Sequence, residues 1–333
     1  MWRAGQRQSR TFRSWVTRVC GVLPLALVAL ACACSLADDA PSAANAQQTR
    51  PALAELAPAR VVAAGEAGSL VTPRWRPDGR GIVASGHLGR GLYDVDLREG
   101  IAREVARDIV AGRSLVFRPD GRAVAVPAAD DGTIEVALDN GREVRFVSRP
   151  AYVPAPERLS DGRSDAVVLW RGRHERVLFE PLRGRVARVT ASGEEVVAEE
   201  GAWGVAPSPD GSRIAYCIGH LTDGHLFVHE REIGTRDLGP GVHASWLPDG
   251  RYIVFAVPEV AQDRVDEASL VGAELFLVDV ETGRDVQLTA TGDVTEMEPA
   301  VSPDGSEVAY ADWRSGSLHV AWLTVAAPEG RLP

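Results

Sequence analysis

A ring of six four-stranded blades, an all-β propeller, is the fold this sequence predicts, and three observations predict it. A turn built on Pro-Asp-Gly recurs between short apolar runs. Its copies stand one four-stranded unit apart. Each copy is followed by a second pair of short strands joined at a Gly turn.

The clearest copy is PAVSPDGSEVAYAD (Pro299 to Asp312). Proline presets φ at the turn, Asp304 can accept a hydrogen bond from the backbone ahead of it, and Gly305 takes the left-handed conformation that a side chain resists. The same hairpin reads at PRWRPDGRGIVAS (Pro73 to Ser85), LVFRPDGRAVAVP (Leu115 to Pro127), VAPSPDGSRIAYC (Val205 to Cys217) and ASWLPDGRYIVFA (Ala244 to Ala256). A sixth copy, VVLWRGRHERVLFEP, aligns Trp170 with Phe117 and Val177 to Phe179 with Val124 to Val126. Its turn is Gly172 to His174, or, in a second register, Ser160-Asp161-Gly162; six units result either way.

Adjacent copies, the sixth included, begin about 40 to 55 residues apart, the period of a propeller blade. Five units continue into a further strand, a Gly turn and a short last strand, as in LYDVDLREG then IAREVAR and LFLVDVETG then RDVQLT. The last unit runs out after SLHVAWLTV. Its outer strand is expected to be ARVVAAG (Ala59 to Gly65), pairing beside Leu318 to Leu323 and closing the ring, which removes two unpaired sheet edges.

The first segment reads as an address. Arg3, Arg7, Arg10, Arg13 and Arg18 make a basic region before the apolar VLPLALVALA, which is too short for an ordinary membrane helix. It ends at ACACS, where small residues precede a cysteine as in the bacterial lipoprotein box, with Cys32 or Cys34 as the lipidated residue; the competing reading is ordinary cleavage after Ala37. The expected division is therefore an export signal of lipoprotein type at 1–31, a flexible tether at 32–58 and the propeller at 59–333. That places the protein in the periplasm or at the cell surface, held to a membrane by lipid alone.

Lysine is absent, and the formal charge of −10 becomes −15 once residues 1–31, with five arginines and no acid, are removed. Such a chain is a poor partner for nucleic acid or anionic lipid. Cys217, inside a second strand, reads as a buried core thiol, and no disulfide framework is implied. Two insertions interrupt the repeats: SRPAYVPAPERLSDGRSD (Ser148 to Asp165) reads as a long loop, and PEVAQDRVDEASLVG (Pro258 to Gly272) as a lid or short helix with Val260, Val265, Ala268 and Val271 on one face.

The pattern WxPDGxxI, followed by LFLVDVETG and a short final strand, resembles the TolB-type propeller repeat of bacterial envelope proteins. The resemblance runs from about Ala59 to the C-terminus, is carried by the five Pro-Asp-Gly turns, and implies a six-bladed ring that binds other proteins at the envelope. The chain departs from TolB in having too few residues before its first blade for TolB's α/β domain.

For the chemistry, the recurring aspartates are explained by their turns and are expected to stand well apart around the ring. Trp75, Trp170 and Trp246, with Phe117 in register, are expected to fill gaps between sheets. GHLGRG (Gly86 to Gly91) leads into a strand and so offers no helix terminus to a phosphate. There is no G-x-S-x-G, H-E-x-x-H or P-loop. The reading that follows is a monomeric, noncatalytic protein-binding scaffold with no cofactor and no metal. A second class, a metal-assisted lyase or hydrolase on carbohydrate, rests on His220, His225, His229 and His243, and a small-ligand sensor is a third.

A binding rim can be placed. The residue before each innermost strand is expected to line the channel mouth: Thr72, Ser114, Ala166, Gly204, His243 and Glu298. Asp293, Glu296 and Glu298 would make one side acidic, so a basic peptide or a cation is the expected partner.

Overall fold

The computed structural model describes residues 53–63, 69–110, 115–118, 120–127, 133–146, 157–158, 165–261 and 270–326. Two short strands, β1 (Ala54–Leu56) and β2 (Arg60–Ala63), precede the repeats. Blade 1 is β3 (Val71–Trp75), β4 (Ile82–Ser85), β5 (Arg90–Asp96) and β6 (Ile101–Val110). Blade 2 is β7 (Val116–Phe117), β8 (Ala123–Pro127), β9 (Thr133–Ala137) and β10 (Glu143–Phe146). Blade 3 has β11 (Glu157–Arg158), β12 (Asp165–Arg171), β13 (Glu175–Glu180), β14 (Arg185–Thr190) and β15 (Gly193–Ala198). Blade 4 is β16 (Trp203–Pro207), β17 (Arg213–Ile218), β18 (His225–Glu230) and β19 (Gly234–Pro240). Blade 5 is β20 (Val242–Trp246), β21 (Tyr252–Val260), β22 (Leu270–Asp279) and β23 (Asp285–Gln287), and blade 6 is β24 (Glu296–Val301), β25 (Glu307–Asp312) and β26 (Ser317–Val325).

Each blade is an antiparallel meander, so the chain is the six-bladed, all-β propeller that its repeats predict. The ring closes as expected: β2 pairs with β26 through Arg60 with Val320 and Ala63 with Leu318. One expectation is corrected here. The stretch read as tether to residue 58 contains β1, which pairs with the far end of β26, Ala54 opposite Val325 and Leu56 opposite Leu323. The nine residues of β26 are too many for β2 alone, and the remaining backbone groups go to β1.

In the degenerate blade, strand pairing selects the first register. Trp170 stands opposite Val177 as Phe117 stands opposite Val124, and Gly172 to His174 form the connection. The second register, Ser160-Asp161-Gly162, lies outside the described residues. The insertion in blade 5 is extended where it is described: Pro258 pairs with Ala273 and Val260 with Leu270, so Val260 and Val271 belong to a long hairpin instead of one helical face. Residues 262–269, with Val265 and Ala268, are outside the described set.

The turns carry the chemistry read from sequence. In all five Pro-Asp-Gly turns the aspartate accepts the N–H two residues ahead: Arg80 to Asp78, Arg122 to Asp120, Ser212 to Asp210, Arg251 to Asp249 and Ser306 to Asp304. The turns do not stand well apart, however. Those of neighbouring blades interlock, and a Cβ on Gly305, whose φ is 78°, would sit 3.0 Å from the Pro248 ring. Glycine is required there by both the left-handed backbone and the close approach. Between the sheets, the Trp75 indole donates to the Ala300 carbonyl of blade 6 (2.9 Å) and Trp246 to the Ala206 carbonyl of blade 4 (2.7 Å), so the tryptophans both fill the gaps and tie blades together. Cys217 is a buried thiol, as read.

Candidate functional site at the channel mouth

The innermost strands of four blades share one distortion. Pairing runs normally at Val71, Trp203, Val242 and Met297, breaks for two residues, and resumes at Arg74, Ala206, Ser245 and Ala300. The residue after the first pair is left-handed in every case: Thr72 (φ 54°), Gly204 (59°), His243 (58°) and Glu298 (55°). This is a bulge that re-aims one residue per blade. Glycine adopts it freely, whereas three side-chain-bearing residues hold it at about 1–2 kcal/mol each, and β-branched Thr72 is an outlier there.

The sequence reading named these residues but set them just outside the strands. They lie inside, because the bulge lets pairing continue on the mouth side of the distortion. Ala166 is corrected further: it is fully buried and pairs with Glu157 of β11, while the bulge of blade 3 falls between Val168 and Trp170. Ser114 lies outside the described residues, as do Cys32 and Cys34.

Three of the rim residues converge. Glu298 of blade 6 accepts the Thr72 N–H of blade 1 at 2.6 Å, with the Thr72 hydroxyl at 3.3 Å from its second oxygen. His243 is buried between two indoles, edge-on to Trp203 with ring centres 5.6 Å apart and tilted against Trp313 at 6.1 Å. Thr72, Arg74, Gly204, His243, Ser245 and Glu298 line a cavity of about 260 Å³. A second cavity of about 490 Å³ shares Arg74, Leu169, Ser245 and Ala300 with it and continues to Leu115 and Phe117. Together they are the central channel, narrow enough to take a side chain or one extended segment.

Its charge differs from the expectation. Glu296 is fully buried beside blade 5 and is not on the rim; only Asp293 and Glu298 remain of the three acids. Arg74, which sequence reading passed over, adds a cation to the channel wall. Its position two residues beyond the left-handed one was the signal available. Trp203 and Trp313 were likewise missed, since they reach His243 from neighbouring blades.

Three of the four histidines of the metal reading are engaged by other partners. His225 pairs with Asp237 (3.0 Å), His229 lies between Thr235 (3.0 Å) and Glu195 (3.1 Å), and His243 sits against the two indoles. Among the described residues no three His, Cys, Asp or Glu side chains are arranged to hold a metal ion.

No family model and no curated protein sequence matches the chain. Solved structures do. The β-propeller domain of Cps50 (Swd1) from Myceliophteria thermophila aligns over 80% of this chain and 100% of its own, at 13% identity and a TM-score of 0.54. The likeness is one of fold. A propeller-like match to a gluconolactonase from Xanthomonas campestris covers 81% of this chain and 91% of that one, at 14% identity and a TM-score of 0.50. A TolB from Agrobacterium tumefaciens covers 78% and 90% at 16% identity, with a TM-score of 0.43. At 13% and 14% identity the likeness to the first two is one of fold alone.

Proposed function

We propose that this propeller is a noncatalytic, exported binding scaffold of the bacterial envelope, TolB-like in role, which receives a segment of another protein at its channel mouth. The carrying observation is the repeated left-handed bulge. Three blades hold Thr72, His243 and Glu298 in a conformation unfavourable for residues with side chains, and all three line the same small cavity.

The surroundings favour a protein over a small molecule. Antiparallel alternation puts the connection between the second and third strands of every blade on the mouth side, and there the exposed apolar residues Leu88, Leu182 (95% exposed) and Trp313 are found. The long β21–β22 hairpin extends on that side too. The mixed wall of Glu298 and Arg74 suits a segment bearing both charge signs, a revision of the purely basic partner. Lipidation at Cys32 or Cys34 would hold the ring near a membrane, where such partners are met.

The test is capture of partners by full-length protein from envelope fractions of the native cell, alongside Glu298→Lys, Arg74→Glu and the paired Cys32→Ser, Cys34→Ser variant. Loss of the same partner in both rim variants supports the reading, and its loss in the cysteine variant supports the anchor. Unchanged capture by the rim variants contradicts it, and a tightly retained metal or cofactor-sized ligand would move the protein to the enzyme class.

A further inference from the structure

The joint between blades 5 and 6 contains a group of acids that the channel does not use. Glu296 on β24 is 0% exposed, Asp312 on β25 4% and Glu274 on β22 7%. Thr291, in the connection between the blades, ties two of them: its N–H donates to Glu274 Oε1 (3.0 Å) and its hydroxyl to Glu296 Oε1 (2.8 Å). The other oxygen of each, Glu274 Oε2 and Glu296 Oε2, is buried with no hydrogen-bond partner among the described residues. Two carboxylates so placed cannot both carry charge without a counter-ion.

Among the described residues, none of the surrounding groups supplies one. Asp312 is itself an anion, saturated by the Thr295, Arg314 and Ser315 N–H groups. The Arg314 guanidinium donates to the carbonyls of Val271 (2.8 Å) and Asp293 (3.3 Å). Tyr310 faces the acids from β25, where burial raises its hydroxyl further and keeps it neutral. His319 on β26 stacks on Tyr310 at 5.2 Å, and burial lowers its pKa, so it too is neutral at physiological pH.

We infer that Glu296, buried against Glu274, holds a proton in the folded protein, and that the joint between blades 5 and 6 loosens as the medium goes from acid to neutral. The direction agrees with the setting of Glu296: burial, against the Thr291 hydroxyl and with the charges of Glu274 and Asp312, pushes its carboxyl up to about 7. The strand concerned, β24, also carries Glu298 two residues on, so the mouth would feel the change.

The sign is fixed by linkage. A carboxyl whose folded pKa is raised binds more protons folded than unfolded between about 4.5 and 7, so stability falls as pH rises through that window and levels off above it. The experiment is amide hydrogen exchange of residues 291–298, corrected for intrinsic rates, from pH 5 to 9 in wild type, Glu296→Gln and Glu274→Gln. Wild-type exchange should rise with pH relative to Glu296→Gln by about tenfold or more, the ratio one pKa unit represents. In Glu274→Gln the rise should level off at lower pH and be smaller, because one of the charges that raise the Glu296 carboxyl is gone; this variant decides the matter if Glu296→Gln fails to fold. The same profile in all three would overturn the inference. So would wild-type protection restored at pH 9 by millimolar Ca²⁺ and lost in Glu274→Gln, which would make the pair a cation site.

Discussion

Asp304 condenses the repeat into one side chain. It accepts hydrogen bonds from the Ser302 hydroxyl (2.7 Å) and from the N–H (3.0 Å) and hydroxyl (2.8 Å) of Ser306, and these hold its carboxyl down at about 2. A depressed carboxylate contributes stability above its unfolded pKa and loses it as pH falls through the folded value, so its share disappears between about pH 4 and 2. Asp304→Ala should lower stability at neutral pH by about 1 kcal/mol, the scale of lost capping bonds, and flatten the acid limb of a denaturation profile. Thr72→Gly should act in the opposite sense. The strained residue is relieved while its N–H bond to Glu298 remains, so chemical denaturation should show a gain of about 1 kcal/mol. At this scale the sequence showed the turn aspartates because each acts on its own neighbours. The Glu274–Glu296 pair was hidden because its members belong to different blades and meet only when the ring forms.

The strands themselves were legible wherever the turn chemistry repeats, and even in blade 3, where Trp170 and Val177 kept the register after Pro-Asp-Gly was lost. The closing strand was legible as well, since β26 had no outer partner in its own unit. The bulges were not. A one-residue offset leaves no mark in a pattern of small and apolar residues, so Thr72, His243 and Glu298 were placed just outside strands that in fact contain them. β1 was equally silent, three residues whose pairing depends on the unusual length of β26. The closure is testable as an element. A chain begun at Arg50 keeps both closing strands and should unfold in one cooperative step. One begun at Leu70 bares the edge of β26 and should associate or aggregate, as light scattering and calorimetry would show; a soluble, equally stable monomer from the shorter chain would contradict the pairing's role.

Over the whole molecule, one ring presents two faces of different character. The face of the Pro-Asp-Gly turns is interlocked, with Arg80, Arg122, Asp78 and Asp120 around one polar hollow and Ile101 and Ile233 exposed at its other turns. The opposite face has the channel mouth, the strained rim residues and the exposed Leu88, Leu182 and Trp313. Left-handed rim residues collected around one channel mouth are what a docking surface requires and a purely structural ring does not. The most direct measurement of that claim is site-specific photo-crosslinking in the native cell, with the reactive residue placed at Ser245 in the channel or at Ile233, which is exposed at a turn on the opposite face. The account predicts one discrete protein adduct from position 245, abolished by Glu298→Lys, and none from position 233. Matching adducts from both positions, or none from position 245 in folded protein, would contradict it.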